Sequence, residues 1–289
     1  MKHPLIPSLL AATLAISAPL SAQDGPAGPQ GDWTFAIGAM GLQRPAYSGS
    51  SERRTSVEPF VELDYKGLVG IKGSSVVGGA AGIYVRPLQR GSWTLGALFL
   101  TEMGGRNEDD AKALKGMGDR DANAFFGLEA SYRTEAFFGS MEVLKGSKSG
   151  SGMVAGLTVG RSIQLREGIG LELGLTGIWG NQDYQVWESG ITPVQASRRQ
   201  ALIAAGNQDL RAADGRTCTP RAGLREVRAS AMVQWEVTDR WKTFAVVEHG
   251  RLLGDAADSP LTRRKSATGV GLGFAYQFCG GSDGGRHGH

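Results

Sequence analysis

Residues 268–278 read Thr-Gly-Val-Gly-Leu-Gly-Phe-Ala-Tyr-Gln-Phe, and no other stretch narrows the fold as much. Val270, Leu272, Phe274, Tyr276 and Phe278 fall on one face at a period of two, while Gly269, Gly271, Gly273, Ala275 and Gln277 fall on the other. A strand of a soluble sandwich turns its apolar face to a core and carries polar side chains behind. Here the second face is nearly bare. That suits a strand whose inner side lines a crowded or hydrated lumen while its outer side meets lipid, as in the closing strand of an outer-membrane barrel. An edge strand of a soluble barrel is the competing reading, and the rest of the chain decides between the two.

The alternation recurs along the chain. It begins with Trp33, Phe35, Ile37 and Ala39 against Thr34, Ala36 and Gly38. Next come Val57, Pro59, Val61, Leu63 and Tyr65 against Glu58, Phe60, Glu62 and Asp64. Carboxylates on one whole face are tolerable beside water and costly in a dry core. Further strands are expected at 67–73, 80–88, 92–103, 123–132, 136–145, 152–163, 169–180, 224–237 and 240–253, with 268–278 closing the set. This predicts an all-β fold, a twelve-stranded antiparallel transmembrane β-barrel, whose even strand number returns both ends to one side.

The links give an independent test, because such barrels have short turns on one rim and long loops on the other. Short turns at Lys66, 89–91, 133–135, 164–168 and 238–239 alternate with links at 43–56, 104–122, 181–223 and 254–267. The links near 74–79 and 146–151 are short as well, but every long link falls on one side. Trp33, Tyr65, Trp93, Tyr132, Trp235, Trp241 and Tyr276 gather at the short-turn ends, as an interfacial girdle does. Within the loops, 108–115 runs from acidic to basic and is expected to make one or two helical turns. Thr192-Pro193-Val194-Gln195 carries a capping residue, a first-turn proline and a third-position Gln, with Gly206 as a stop.

Composition agrees with this reading: 44 glycines and 20% charged residues fit β-architecture, and a net charge of +3 with interleaved signs marks no nucleic-acid patch. Residues 1–22, with Lys2, the apolar run 9–16 and Ser21-Ala22, are laid out as a signal peptide cleaved after Ala22, with Leu20 an atypical residue three positions before the cut. A Pro/Gly-rich linker, 23–31, leads into the barrel at 32–278, and residues 279–289 form a tail with a disordered composition. After residue 22 no run of 18 apolar residues occurs, so a membrane crossing has to be made by strands. Cys218 falls in the longest external loop and Cys279 just past the opposite end of the last strand, so no disulfide between them is expected.

Three segments and the C-terminal strand resemble the MipA/OmpV family, the MltA-interacting protein group of Gram-negative outer-membrane proteins. They are Arg44-Pro45-Ala46-Tyr47-Ser48-Gly49, Ala113-Leu114-Lys115-Gly116-Met117-Gly118-Asp119, and Arg251-Leu252-Leu253-Gly254-Asp255-Ala256-Ala257-Asp258-Ser259-Pro260-Leu261, joined by Ala275-Tyr276-Gln277-Phe278. The resemblance spans residues 32–278. It implies an outer-membrane barrel without enzymatic activity or cofactor, with outer-membrane lipids around it and murein hydrolase or synthase proteins as partners for which it is a scaffold. Members of the family commonly stop at the terminal aromatic, and this chain departs from them in its tail.

The residues also set out candidate chemistry. The inward register holds Glu58, Glu62, Asp64, Glu129, Glu142, Glu172 and Glu236 against Arg86, Arg133 and Arg228. With seven acids to three bases, an open lumen favours cations and gives a narrow cation-preferring pore. The alternative is that these charges pair and hold a closed barrel. A lipid hydrolase would need His249 to work with Ser259 and Asp255 or Asp258, yet Asp-Ser-Pro also makes ordinary turn chemistry. His287 and His289 in the tail are too few to make a metal site.

Overall fold

The computed structural model describes residues 32–278. Among these residues twelve strands close into one antiparallel ring, β1 (Trp33–Pro45), β2 (Arg53–Tyr65), β3 (Val69–Gly73), β4 (Ala80–Arg90), β5 (Trp93–Glu102), β6 (Ala124–Arg133), β7 (Phe137–Gly146), β8 (Met153–Arg166), β9 (Ile169–Gly180), β10 (Gly223–Glu236), β11 (Trp241–Leu252) and β12 (Ser266–Phe278). Each strand pairs with its neighbours in sequence, and β12 pairs with β1 from Phe35↔Phe278 to Gln43↔Val270. The segments expected to be a signal peptide, a linker and a tail, with Cys279 and the two tail histidines, lie outside the described residues.

The barrel is inside out relative to a soluble protein. Leu272 is 69% exposed, Leu128 68% and Leu157 57%, and all three stand on the outward register among Phe, Val and Ile. An apolar belt around the whole circumference is stable only against lipid. The described residues hold no helix long and apolar enough to span a membrane, so the strands make the crossing. Rings pair across strands at the short-turn rim: Trp33 with Tyr65 at 4.7 Å, Trp93 with Tyr132 at 5.0 Å and Trp241 with Tyr276 at 5.1 Å between centroids. These are the positions the sequence assigns to the girdle.

The bare face of β12 turns out to be crowded. A Cβ on Gly273 would lie 2.4 Å from the Phe244 ring, and one on Gly271 would lie 2.7 Å from Leu42 and 2.9 Å from Val246. Neighbouring strands lay their side chains over this wall, and glycine makes the room. At the β2–β3 turn Lys66 (φ 53°) and Gly67 (φ 69°) take the left-handed conformation of a tight hairpin, and Asp64 accepts a hydrogen bond from the Gly67 N–H.

The long links fold into a cap over one end. It contains α1 (Gln182–Ser189), α2 (Pro193–Ala204) and α3 (Gly254–Asp258). Helix α2 begins as the sequence predicts, with the Thr192–Gln195 capping box and Pro193 in the first turn. In the acidic-to-basic loop the helical part is a single 3-10 turn, Lys112–Leu114.

Candidate functional site

The interior has two unlike halves. On the side of β4 to β9, Leu98, Leu100, Phe125, Leu144, Val154 and Ile178 point inward and are fully buried around Val76, Val77 and Tyr184. The valines come from the β3–β4 link, residues 74–79, which does not stay on the rim. This strap turns into the barrel. Ser74 Oγ donates to Glu142 on β7 (2.8 Å), a Cβ on Gly156 of β8 would meet Val76 at 2.4 Å, and Arg228 of β10 donates to the Ser75 carbonyl (3.4 Å). Since β4 and β10 stand six places apart in a ring of twelve, the strap reaches from one wall to the opposite one.

Below the strap lies a charged layer. Lys72 bonds Glu129 and Glu142, both at 2.8 Å, and Arg86 meets Glu129 at 2.6 Å. Glu142 is 1% exposed, so its charge depends on these partners. Arg133 bonds Glu172 at 3.0 Å, Tyr84 donates to Asp64, and Glu236 faces Lys242 at 3.4 Å. Glu58 accepts from Arg44 at 2.9 Å and from Ser56 at 2.8 Å. Arg228 pairs with Glu226 at 3.0 Å. Glu62 stands in the same inward row of β2, and its Oε2 has no hydrogen-bond partner among the described residues.

All ten residues of the sequence-derived set therefore point inward, and most are engaged by neighbours. The set misses Lys72, Arg44, Lys242, Glu226 and Arg225, three of which are bases lying against its carboxylates. Arg44 was legible from the period-two register, whereas Lys72 sits on a strand of only five residues. Arg225 was not, because a bulge between Leu224 and Glu226 sends two consecutive residues inside.

On the other side, toward β10–β12, β1 and β2, the lumen holds a cavity of about 1140 Å³. Leu42, Glu58, Arg228, Val246 and Glu248 line its wall, and Tyr47, Arg106 and Glu188 close it from the cap. Toward the short-turn rim, Met40 and Phe244 pack with Phe60, the two rings 5.2 Å apart, and make a floor.

The cap is pinned by two charge clusters. Arg199 is fully buried; it donates to the carbonyls of Ala113 (2.9 Å), Lys115 (2.9 Å) and Asp214 (2.7 Å). The Asp214 carboxylate also takes Arg211 and Arg263, and despite burial these bonds hold it below the usual carboxylate range. In the second cluster burial opposes the charge on Glu188, but Arg120, Arg225 and Arg106 outweigh it and bring the carboxyl down to about 2. Burial pushes the Tyr47 phenol up to about 12, so it stays a donor, to the Leu261 carbonyl at 2.6 Å.

The segments that carry the family resemblance meet here. Ala46 and Tyr47 from the first, Leu114 and Met117 from the second and Leu261 from the third share one apolar cluster with Ile191, Ala196 and Cys218. The hydrolase constellation does not assemble. His249 is on the outer face, bonded to Thr268 at 2.9 Å. Ser259 is buried and donates to the Ser189 carbonyl, Asp255 pairs with Arg221, and Asp258 pairs with Lys265.

The family model described as MltA-interacting protein MipA matches residues 37–278. Among curated proteins none matches. Solved structures similar to this chain include the COG4313 outer membrane channel from Pseudomonas putida F1, at 12% identity and a TM-score of 0.42, over 90% of this chain and 100% of that one. The KdgM porin is similar at 10% identity and a TM-score of 0.39, over 84% and 99% of the two chains.

Proposed function

The chain belongs to the MipA family, and from that premise we propose that it is an outer-membrane barrel that binds at the cell envelope and conducts no ions at rest. The observation that carries this reading is the strap. Residues 74–79 lie across the lumen, tied to β7, β8 and β10, above a layer in which buried carboxylates and bases are paired. Paired charges of this kind hold walls together, and on the cavity side Met40, Phe60 and Phe244 pack across the lumen below. The name of the family model points to a murein hydrolase as the partner of a scaffold. Such a partner would meet the short-turn rim, where the connections are two to four residues long. The reading includes no catalysis, and His249→Ala is expected to leave lipid-ester turnover unchanged.

A second reading, a narrow cation-preferring pore, is favoured by the inward carboxylates, Glu62 above all. Planar-bilayer recording separates the two. The intact protein is expected to show no steady conductance, and deletion of residues 75–78 is expected to produce one. A stable cation-selective current from the intact protein overturns the closed reading in favour of the pore. Retention of a murein hydrolase from a detergent extract by the immobilised protein is the test of the scaffold role.

A further inference from the structure

The inward turn of the strap leaves a mark on the wall. Strand β3 is five residues long because its continuation enters the lumen, so β2 and β3 share only two residue pairs, Asp64↔Gly70 and Tyr65↔Val69. Along β1 the same β2 is paired over its whole length, from Trp33↔Tyr65 to Pro45↔Arg53. From Arg53 to Leu63, therefore, β2 has a ladder on one side only. Pro59, which has no N–H to offer, sits within this one-sided stretch, as prolines do on edges.

A strand edge at bilayer depth is tolerated only where it borders a cavity, because lipid offers its backbone groups nothing. The cavity supplies this condition. Its lining takes residues from both registers of β2, Ser56 and Glu58 on the inner side with Val57 and Pro59 on the outer, and continues to the strap at Val76 and Val77. The cavity thus borders β2 along the stretch that has no partner on its β3 side.

The chemistry of the gap is two-part. At its upper end Arg44 and Arg54 stand directly opposite each other, a like-charged pair that is unfavourable without a counter-ion. Arg44 is answered by Glu58. Among the described residues the side chains of Arg54 and of Arg264, which lines the same cavity, have no ion pair or hydrogen bond. Below them Leu42, Val76, Val77 and Val246 form an apolar part of the lining, beside Glu58 and Glu248. Cations above an apolar slot that opens sideways into a bilayer match one kind of molecule.

We propose that the β2–β3 gap is a lateral port, through which a single-chain anionic amphiphile such as a fatty acid passes between the membrane and the cavity. Its head rests on Arg54 and Arg264 and its chain lies against Leu42, Val76 and Val77. The port stands whether or not the barrel conducts ions, and its test reads lipid rather than current.

The full chain is reconstituted in phosphatidylcholine vesicles carrying a diazirine-bearing hexadecanoic acid, irradiated, and mapped by peptide mass spectrometry. Labels are expected on the strap, 74–79, and on β2 at 54–59. Labels confined to the outward belt elsewhere, or none on the strap, overturn the proposal. Arg54→Glu with Arg264→Glu removes two charge-assisted contacts and is expected to lower strap labelling about tenfold or more; unchanged labelling overturns the head site. Leu63→Cys with Ile71→Cys extends the ladder by one pair, and bridging the two with a short bismaleimide closes the gap. Strap labelling is then expected to be lost, and if it persists the fatty acid enters along the barrel axis and the lateral route is wrong. Where the bridged protein fails to insert, as read by heat-modifiable gel migration, Val61→Trp narrows the same gap and is expected to act in the same direction, with undiminished labelling contradicting the port.

Discussion

The two halves of the lumen solve the same problem in opposite ways. From β4 to β9 the wall leans on an apolar core and a buried ion layer; from β10 around to β2 it surrounds the cavity and has a short, weak seam. A single segment produces both. When residues 74–79 turn inward they supply Val76 and Val77 to the filled half and withdraw β3 from β2. Strength on one side is bought with a gap on the other.

The comparison can be broken most sharply at its charges. Lys72→Met leaves Glu129 and Glu142 buried without their common cation and is expected to cost about 3–5 kcal/mol. Arg54→Met, at the mouth of the open half, is expected to stay within about 0.5 kcal/mol. Denaturant titration of the folded barrel in vesicles measures both, and equal costs would erase the distinction. Truncating the apolar surface is the next test. Leu144→Ala in the packed half is expected to lose about 2–5 kcal/mol. Leu42 borders the cavity, so Leu42→Ala widens an existing space instead of opening a new one and should fall at the low end of that range or below.

Acid provides a smaller effect, confined to the cap. Glu188 has its folded pKa depressed from 4.5 to about 2, so its contribution is complete above pH 4.5 and is lost as pH falls toward 2. Asp214 is depressed as well and acts in the same direction. Proteolysis of the 181–222 loop is expected to speed up across that window while the strands stay protected. Glu188→Gln should flatten the dependence, and an unchanged profile would show that the cluster does not hold the cap.

Much of this was legible in the sequence for a simple reason: a strand between lipid and a lumen shows its two environments at every second residue. All twelve strands lie close to where the alternation places them, and α2 announces itself through Thr192, Pro193 and Gln195. Helix α1 did not, although Asn181 caps it by accepting from the Tyr184 N–H, because its sequence carries no apolar stripe. As sequence, the strap is an ordinary short link. Nothing in Ser-Ser-Val-Val-Gly-Gly says that the chain turns inward, since the reason lies at Gly156, eighty residues away across the barrel, where a missing side chain makes room for Val76. The expected excess of acids had a similar origin. Lys72 sits on the one strand too short for its alternation to be read, and without it Glu129 and Glu142 looked free.

The crossing of the strap is the point on which both the closed lumen and the lateral port depend, and one cysteine pair tests it. A Cβ on Gly156 would stand 3.4 Å from the Val76 Cβ, close to the separation a disulfide requires. In the membrane-inserted protein, Val76→Cys with Gly156→Cys is expected to cross-link on mild oxidation and to resist a membrane-impermeant maleimide beforehand. Free reaction of Cys at position 76 with that maleimide, and no cross-link, would place the strap outside the lumen and contradict the account.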